Sequence, residues 1–230
     1  MGRAMCYQCN RPQQLCWCGK VTPMPTRTKF VILMHPYEHR HIKLNTGRLT
    51  HLCLADSELH VGEDFDRHRA VRALIEDPAN FPVLLYPGKE ARDLSKGELR
   101  AEELGERRLV VFLLDATWRL ARGMLRFSEC LQGLPKVMFS NAAPSRYVIK
   151  RQPEAGCLST LEAAHELLLA LERSGLDEYR DQQQMLDLFM EMQAFQLKCE
   201  QANRRPDFVP RSKRTSEESR YNPSKRRKVF

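Results

Sequence analysis

Hydrophobic positions along the chain fall into five short, nearly continuous runs. They are KFVILMHP (29–36), LTHLCLADSELHVG (49–62), FPVLLYPG (81–88), RRLVVFLLD (107–115) and PKVMFSNA (135–142). Runs of this kind, bounded by Gly, Pro or Asp, suit strands covered on both faces. The intervening text switches to a helical period. DFDRHRAVRALIEDPAN places Ala70, Ala73, Leu74 and Asp77 at helical spacing, and Pro78 closes it. STLEAAHELLLALERSG begins with a capping box, Ser159 and Glu162, and stops at Gly175. A last helix carries Met185, Leu188, Met192, Phe195 and Cys199 on one stripe, a core or partner contact. Strands separated by helix-length stretches predict an α/β fold with a mostly parallel sheet.

In open sheets of this class, ligands bind outside the carboxyl ends of the strands. Four of the five runs end in polar residues that could serve there. His35, Pro36 and Glu38 follow the first, with NTGRL (45–49) beyond. Tyr86, Pro87 and Gly88 follow the third, and Asp115-Ala-Thr-Trp118 ends the fourth. The fifth leads into NAAPSRYVIKRQPEAGCLSTLEA. Each has a plainer explanation: Asp115 as the N-cap of TWRLARGMLRF, His35 as a satisfied turn histidine, Asn45-Thr46-Gly47 as a capping turn. Gathered on one sheet edge, they point to a site. Neither G-x-G-x-x-G after the first strand nor G-x-x-x-x-G-K-[ST] occurs, so no dinucleotide fingerprint or P-loop is supported.

Charge and cysteine content add two modules to this body. The 230 residues carry a formal net charge of +8, but ten Lys and Arg against three acids lie after Asn203. The 27 basic and 26 acidic residues upstream nearly cancel, so the basic character belongs to the tail. Such a tail cannot bury enough apolar surface to order itself alone, and either binds polyanions or serves as a solvated extension. At the other end, CYQCNRPQQLCWCGK clusters four of the eight cysteines: Cys6, Cys9, Cys16 and Cys18. Two close pairs of thiolates can complete a tetrahedral shell, so the segment is expected to hold a structural zinc. Its neighbours Arg11 and Lys20 are candidates for touching nucleic acid. With no membrane-length apolar run and no secretory h-region, a cytoplasmic protein is expected. The expected division is a zinc-binding segment at 1–22, a catalytic domain at 23–203 and a basic tail at 204–230.

The motifs LLDATW, HPYEHRHIKLNTGRL, LLYPG and RQPEAGCLSTLEA, together with the four cysteines, resemble the DTW-domain proteins, from Cys6 to about Cys199. The resemblance implies a SPOUT-like α/β sheet with a C-terminal trefoil knot. It also implies the activity of a tRNA-uridine aminocarboxypropyltransferase, which moves the 3-amino-3-carboxypropyl group of S-adenosylmethionine to the imide nitrogen of a tRNA uridine and releases methylthioadenosine. Under that reading Tyr86, Pro87, Gly88, Asp115, Leu158, Ser159, Thr160 and Glu162 hold the S-adenosylmethionine. Asp115, beside Thr117 and Trp118, is the first choice for the base. His35, Glu38, Asn45, Thr46, Arg48, Arg146, Tyr147, Lys150 and Arg151 face the RNA. Lysine stands at 150 where the family usually has arginine, giving a point charge without a bidentate fork. Two alternatives remain at this level: a SPOUT-type RNA methyltransferase, and a non-catalytic zinc-containing RNA-binding protein. Monomer and homodimer are equally compatible with the sequence.

Overall fold

The computed structural model describes residues 4–9, 11–42, 45–140, 142–149 and 157–202. The chain runs through β1 (Lys29–Met34), α1 (Pro36–His41), α2 (Thr46–Cys53), β2 (Ser57–Val61), α3 (Arg69–Glu76) and β3 (Asn80–Leu85). A two-residue β4 (Arg92–Asp93) and a short α4 (Ala101–Leu104) precede β5 (Arg108–Asp115). Next come α5 (Trp118–Phe127), α6 (Glu129–Gln132), β6 (Lys136–Met138), α7 (Thr160–Arg173) and α8 (Gln182–Ala202). One sheet takes all six strands in the order β2-β1-β5-β3-β6-β4, every pairing parallel.

Parallel strands bury both faces, and alternate residues of each run serve opposite sides. Phe30, Ile32, Val83, Val111 and Leu113 pack with α2, α7 and α8, whose contributions include Leu49, Leu168 and Phe189. Val31, Leu33, Leu84, Val110 and Phe112 pack with Val71 of α3, Met124 of α5 and Leu131 of α6. Each such side chain, if fully buried, contributes about 1.5–3 kcal/mol. The central β5, buried from Leu109 to Leu113, therefore anchors both layers.

The fold departs from the sequence expectation at two places. LTHLC belongs to α2, because Leu49, Leu52 and Cys53 recur at helical spacing and Asn45 caps the helix, accepting from the Arg48 N–H at 2.9 Å; the strand starts only at Ser57. The second departure is β4, which no apolar run marks. Its Asp93 is buried and accepts from the N–H groups of Ser95 and Ser140, so hydrogen bonds rather than hydrophobic pattern hold it.

α7 starts with the full Ser159/Glu162 capping box, and Gly175, at φ +70°, lies just beyond its C-terminal end in the left-handed conformation. The N-terminal segment lies against α8: Trp17 is buried edge-on to Phe195, and Met24 exchanges backbone hydrogen bonds with Cys53 and Ala55. No helix among the described residues is long and apolar enough to cross a membrane.

Candidate active site

Asp115 is the last residue of β5, paired in register with Met34, the last of β1. The apolar strand carries it to the sheet edge, and the backbone N–H of His35 donates to its carbonyl at 3.1 Å. Its side chain is almost fully buried, at 3 % exposure. The Asn45 amide donates to Oδ2 at 2.8 Å, and the Thr160 hydroxyl donates to Oδ1 at 2.6 Å. Asn45 caps α2 and Thr160 opens α7, so the carboxylate lies between two helix N-termini, where the helix dipoles favour negative charge. Two donors and two dipoles offset the desolvation that an unpaired buried acid would suffer.

A cavity of about 340 Å³ opens at the carboxyl ends of β1, β5, β3 and β6. Leu85, Leu113, Met138 and Phe139 form apolar walls, and Glu38 and Asp115 bring two carboxyl groups to it. Trp118 meets Tyr86 edge to face at 6.1 Å, joining the loops after β5 and β3. Tyr147 lies against Phe189 at 5.0 Å. Burial first, then the nearby carboxylates of Glu38, Glu162 and Asp115, push its hydroxyl up to about 12. It therefore stays protonated near neutral pH and can donate a hydrogen bond. Apolar walls with a few polar groups suit a small, partly apolar ligand.

The structure brings many of the sequence candidates to this cavity. Tyr86, Pro87, Thr117, Trp118, Leu158, Ser159 and Thr160 line it, as do Glu38, Asn45, Thr46 and Tyr147. Gly88 is not part of the lining; a Cβ there would meet nothing within 4 Å, so the chain itself sets no demand for glycine. Glu162 sits behind the wall as a tie, accepting from Ser145, the Arg146 N–H and Ser159. His35 caps α1 through Nδ1, and its Nε2 lies 3.3 Å from Glu63. Burial lowers the pKa of Arg48 while Asp115 opposes the shift, and its Nη2 is buried without a hydrogen-bond partner among the described residues. Arg146 is exposed. Lys150, Arg151 and the tail 204–230 lie outside the described residues.

Two residues that shape the site were not singled out by sequence. Gly47 lies directly against the Asp115 carboxylate. Gln193 is buried in α8; its Nε2 donates to the Arg146 carbonyl at 3.1 Å and its Oε1 accepts from the Val148 N–H at 2.7 Å. It grips the backbone on both sides of Tyr147. A glutamine interrupting the buried stripe of a helix is the one signal that could have pointed to it.

The N-terminal cysteines converge. Their four Sγ atoms all lie within 4.8 Å of one another, with Cys6–Cys18 at 3.8 Å and Cys9–Cys16 at 3.7 Å. Four-thiolate coordination with metal–sulfur bonds of about 2.3 Å puts sulfurs about 3.8 Å apart. The cluster could hold a metal ion. The expectation that Arg11 reaches nucleic acid is corrected here. Arg11 is buried, with its guanidinium 4.1 Å from the Trp17 ring centroid, and Lys20 is paired with Glu191 of α8. The Arg11 charge serves to dock the segment, while Lys20 stays exposed.

The family model described as the DTW domain matches residues 3–197. The tRNA-uridine aminocarboxypropyltransferase 2 of Drosophila melanogaster is 33% identical over 177 residues, covering 74% of this chain and 67% of that protein. The protein of the same name from Mus musculus is 33% identical over 177 residues, covering 75% of this chain and 58% of the relative. tRNA-uridine aminocarboxypropyltransferase A of Arabidopsis thaliana is 29% identical over 221 residues, covering 85% and 82%. The chain thus spans less than two thirds of the mouse relative. No solved structure shows a significant match.

Proposed function

The chain belongs to the DTW-domain family, and we propose that it acts as a tRNA-uridine aminocarboxypropyltransferase, with S-adenosylmethionine as group donor and the N3 nitrogen of a tRNA uridine as acceptor. The observation that carries the reading is the buried Asp115 carboxylate, held by Asn45 and Thr160 in a cavity bordered by the family's motifs. The relatives bearing that name support it.

The donor fits the residues present. It carries a cationic sulfur and an ammonium group on a partly apolar frame, and the cavity offers Asp115 and Glu38 among Leu85, Leu113 and Phe139. When bound, S-adenosylmethionine supplies an electrophilic carbon on its sulfonium, and breaking that carbon–sulfur bond leaves neutral methylthioadenosine as the bond to uridine N3 forms. The protein's part is orientation, because all three carbons on the sulfur are activated and the one facing the nucleophile reacts. Tyr86, Trp118 and Leu158 to Thr160 would hold the donor. Asp115, the acid at the strand end that borders the cavity, is our candidate to take the N3 proton. Tyr147 lines the same cavity.

A SPOUT-type knot is part of the same reading. β6 is inserted between β3 and β4, which are joined by only six residues, 86–91. This short crossing beside an inserted strand supports the knotted reading without tracing it. Zinc is the proposed ion for the four thiolates, in a closed structural shell.

Incubating the purified chain with tRNA and S-adenosylmethionine tests the function. Methylthioadenosine and a 3-amino-3-carboxypropyl uridine are expected; S-adenosylhomocysteine instead would assign methyl transfer. Asp115→Ala should abolish product while the fold persists.

A further inference from the structure

Residues of the first motif that sequence directs toward RNA are largely turned inward: His35, Glu38, Asn45 and Thr46 are all under 10 % exposed. The exposed face of the same motif is made by Tyr37, Arg40 and His41, on the outside of α1. Tyr37 and His41 stack, with ring centroids 4.6 Å apart and planes at 24°. Tyr37 is 48 % exposed, so an aromatic ring already covered on one face by His41 presents its other face at the surface. The helix is the cavity's own rim, since Glu38 and Ile42 line the cavity from its inner side. Glu38 is the helix's one acid and is buried, which leaves the outer face aromatic and basic.

We infer that the outer face of α1 is a docking platform for single-stranded RNA, where Tyr37 stacks a nucleobase next to the uridine entering the cavity and Arg40 meets a flanking phosphate. The inference rests on the tRNA reading above. The body upstream of the tail is nearly neutral, with 27 basic and 26 acidic residues, so its net charge supplies little attraction for a polyanion. A local site combining stacking with a cation is what such a surface needs to hold one strand. Splayed, unstacked bases of an RNA loop offer π-faces to an exposed ring, whereas duplex RNA does not.

The test is a titration of labelled, in vitro transcribed tRNA with the full chain, beside calorimetry with S-adenosylmethionine. Tyr37→Ala should weaken tRNA binding about 5- to 100-fold, and Tyr37→Phe should stay within about twofold of wild type. Arg40→Gln should flatten the log–log salt dependence by about one. Donor affinity and thermal midpoint should be unchanged in all three. Wild-type affinity in Tyr37→Ala would overturn the platform and leave the face to a protein partner. Equal losses in Tyr37→Ala and Tyr37→Phe would overturn stacking in favour of a hydroxyl contact. If the wild type itself binds the donor but no tRNA, the tRNA reading fails first, a result distinct from either.

Discussion

Gly47 leaves the space that the Asp115 carboxylate occupies: a Cβ at position 47 would fall 2.5 Å from its Cγ and 2.6 and 2.9 Å from its oxygens. Helix propensity alone would favour Ala over Gly inside α2 by about 1 kcal/mol. The collision should reverse that sign, because the carboxylate can retreat only by giving up Asn45 or Thr160. Gly47→Ala is expected to cost about 1–3 kcal/mol in urea unfolding and to reduce product formation at least roughly tenfold. A stabilised and fully active variant would contradict the packing described.

Thr160→Val removes one donor from Asp115 while keeping the shape of the side chain. Leaving a buried carboxylate oxygen short of its partner should cost about 1–3 kcal/mol of stability. Thr160→Ser, which retains the hydroxyl, should recover most of the stability and the turnover. Equal behaviour of Val and Ser would show that the hydroxyl contributes nothing.

Gln193→Met keeps length and apolar packing but cannot bridge Arg146 and Val148. The Val148 amide should then exchange hydrogen faster, and turnover should fall through loss of the Tyr147 position. Donor-independent unfolding should move little. Unchanged amide exchange in the variant would rule out the clamp.

The cysteine cluster should carry one zinc per chain. Its removal by chelation, or the paired change Cys6→Ser and Cys9→Ser, should release the N-terminal segment from α8 and expose Trp17. A red shift of tryptophan emission on chelation would report it. A metal-free chain with unchanged emission and melting would count against the site.

Burial, aided by the Arg146 charge, holds His165 below the ordinary imidazole range, and its Nδ1 lies 2.7 Å from the Tyr179 hydroxyl. The unfolded chain therefore takes up this proton first as pH falls. The contribution to stability is complete above about pH 6.5 and declines as pH drops toward the lowered folded pKa. His51, also lowered chiefly by burial, acts in the same direction. Urea midpoints measured from pH 7.5 to 5.5 should fall, and His165→Gln should make that fall shallower. An equally steep decline in the variant would locate the effect elsewhere.

Much of this protein is legible in its sequence. Continuous apolar runs can be satisfied only between two covering layers, so KFVILM and RRLVVFLLD announced a parallel sheet and placed DATW at its edge. The four cysteines needed only their spacing, and the Ser159/Glu162 box needed only local hydrogen bonds. LTHLC resisted because a short apolar run satisfies both periods, and β4 because a two-residue strand has no period at all. Contacts between distant segments were left to the tertiary structure. Asn45 and Thr160 are 115 positions apart yet share one carboxylate, and Arg11 spends its charge on Trp17 and Phe195 rather than on RNA. Sequence determines which residues can ionise, cap or bind a metal, since those properties are local. Which face of α1 looks into the cavity and which looks out follows from how the helix packs on the sheet, and only the folded chain decides that.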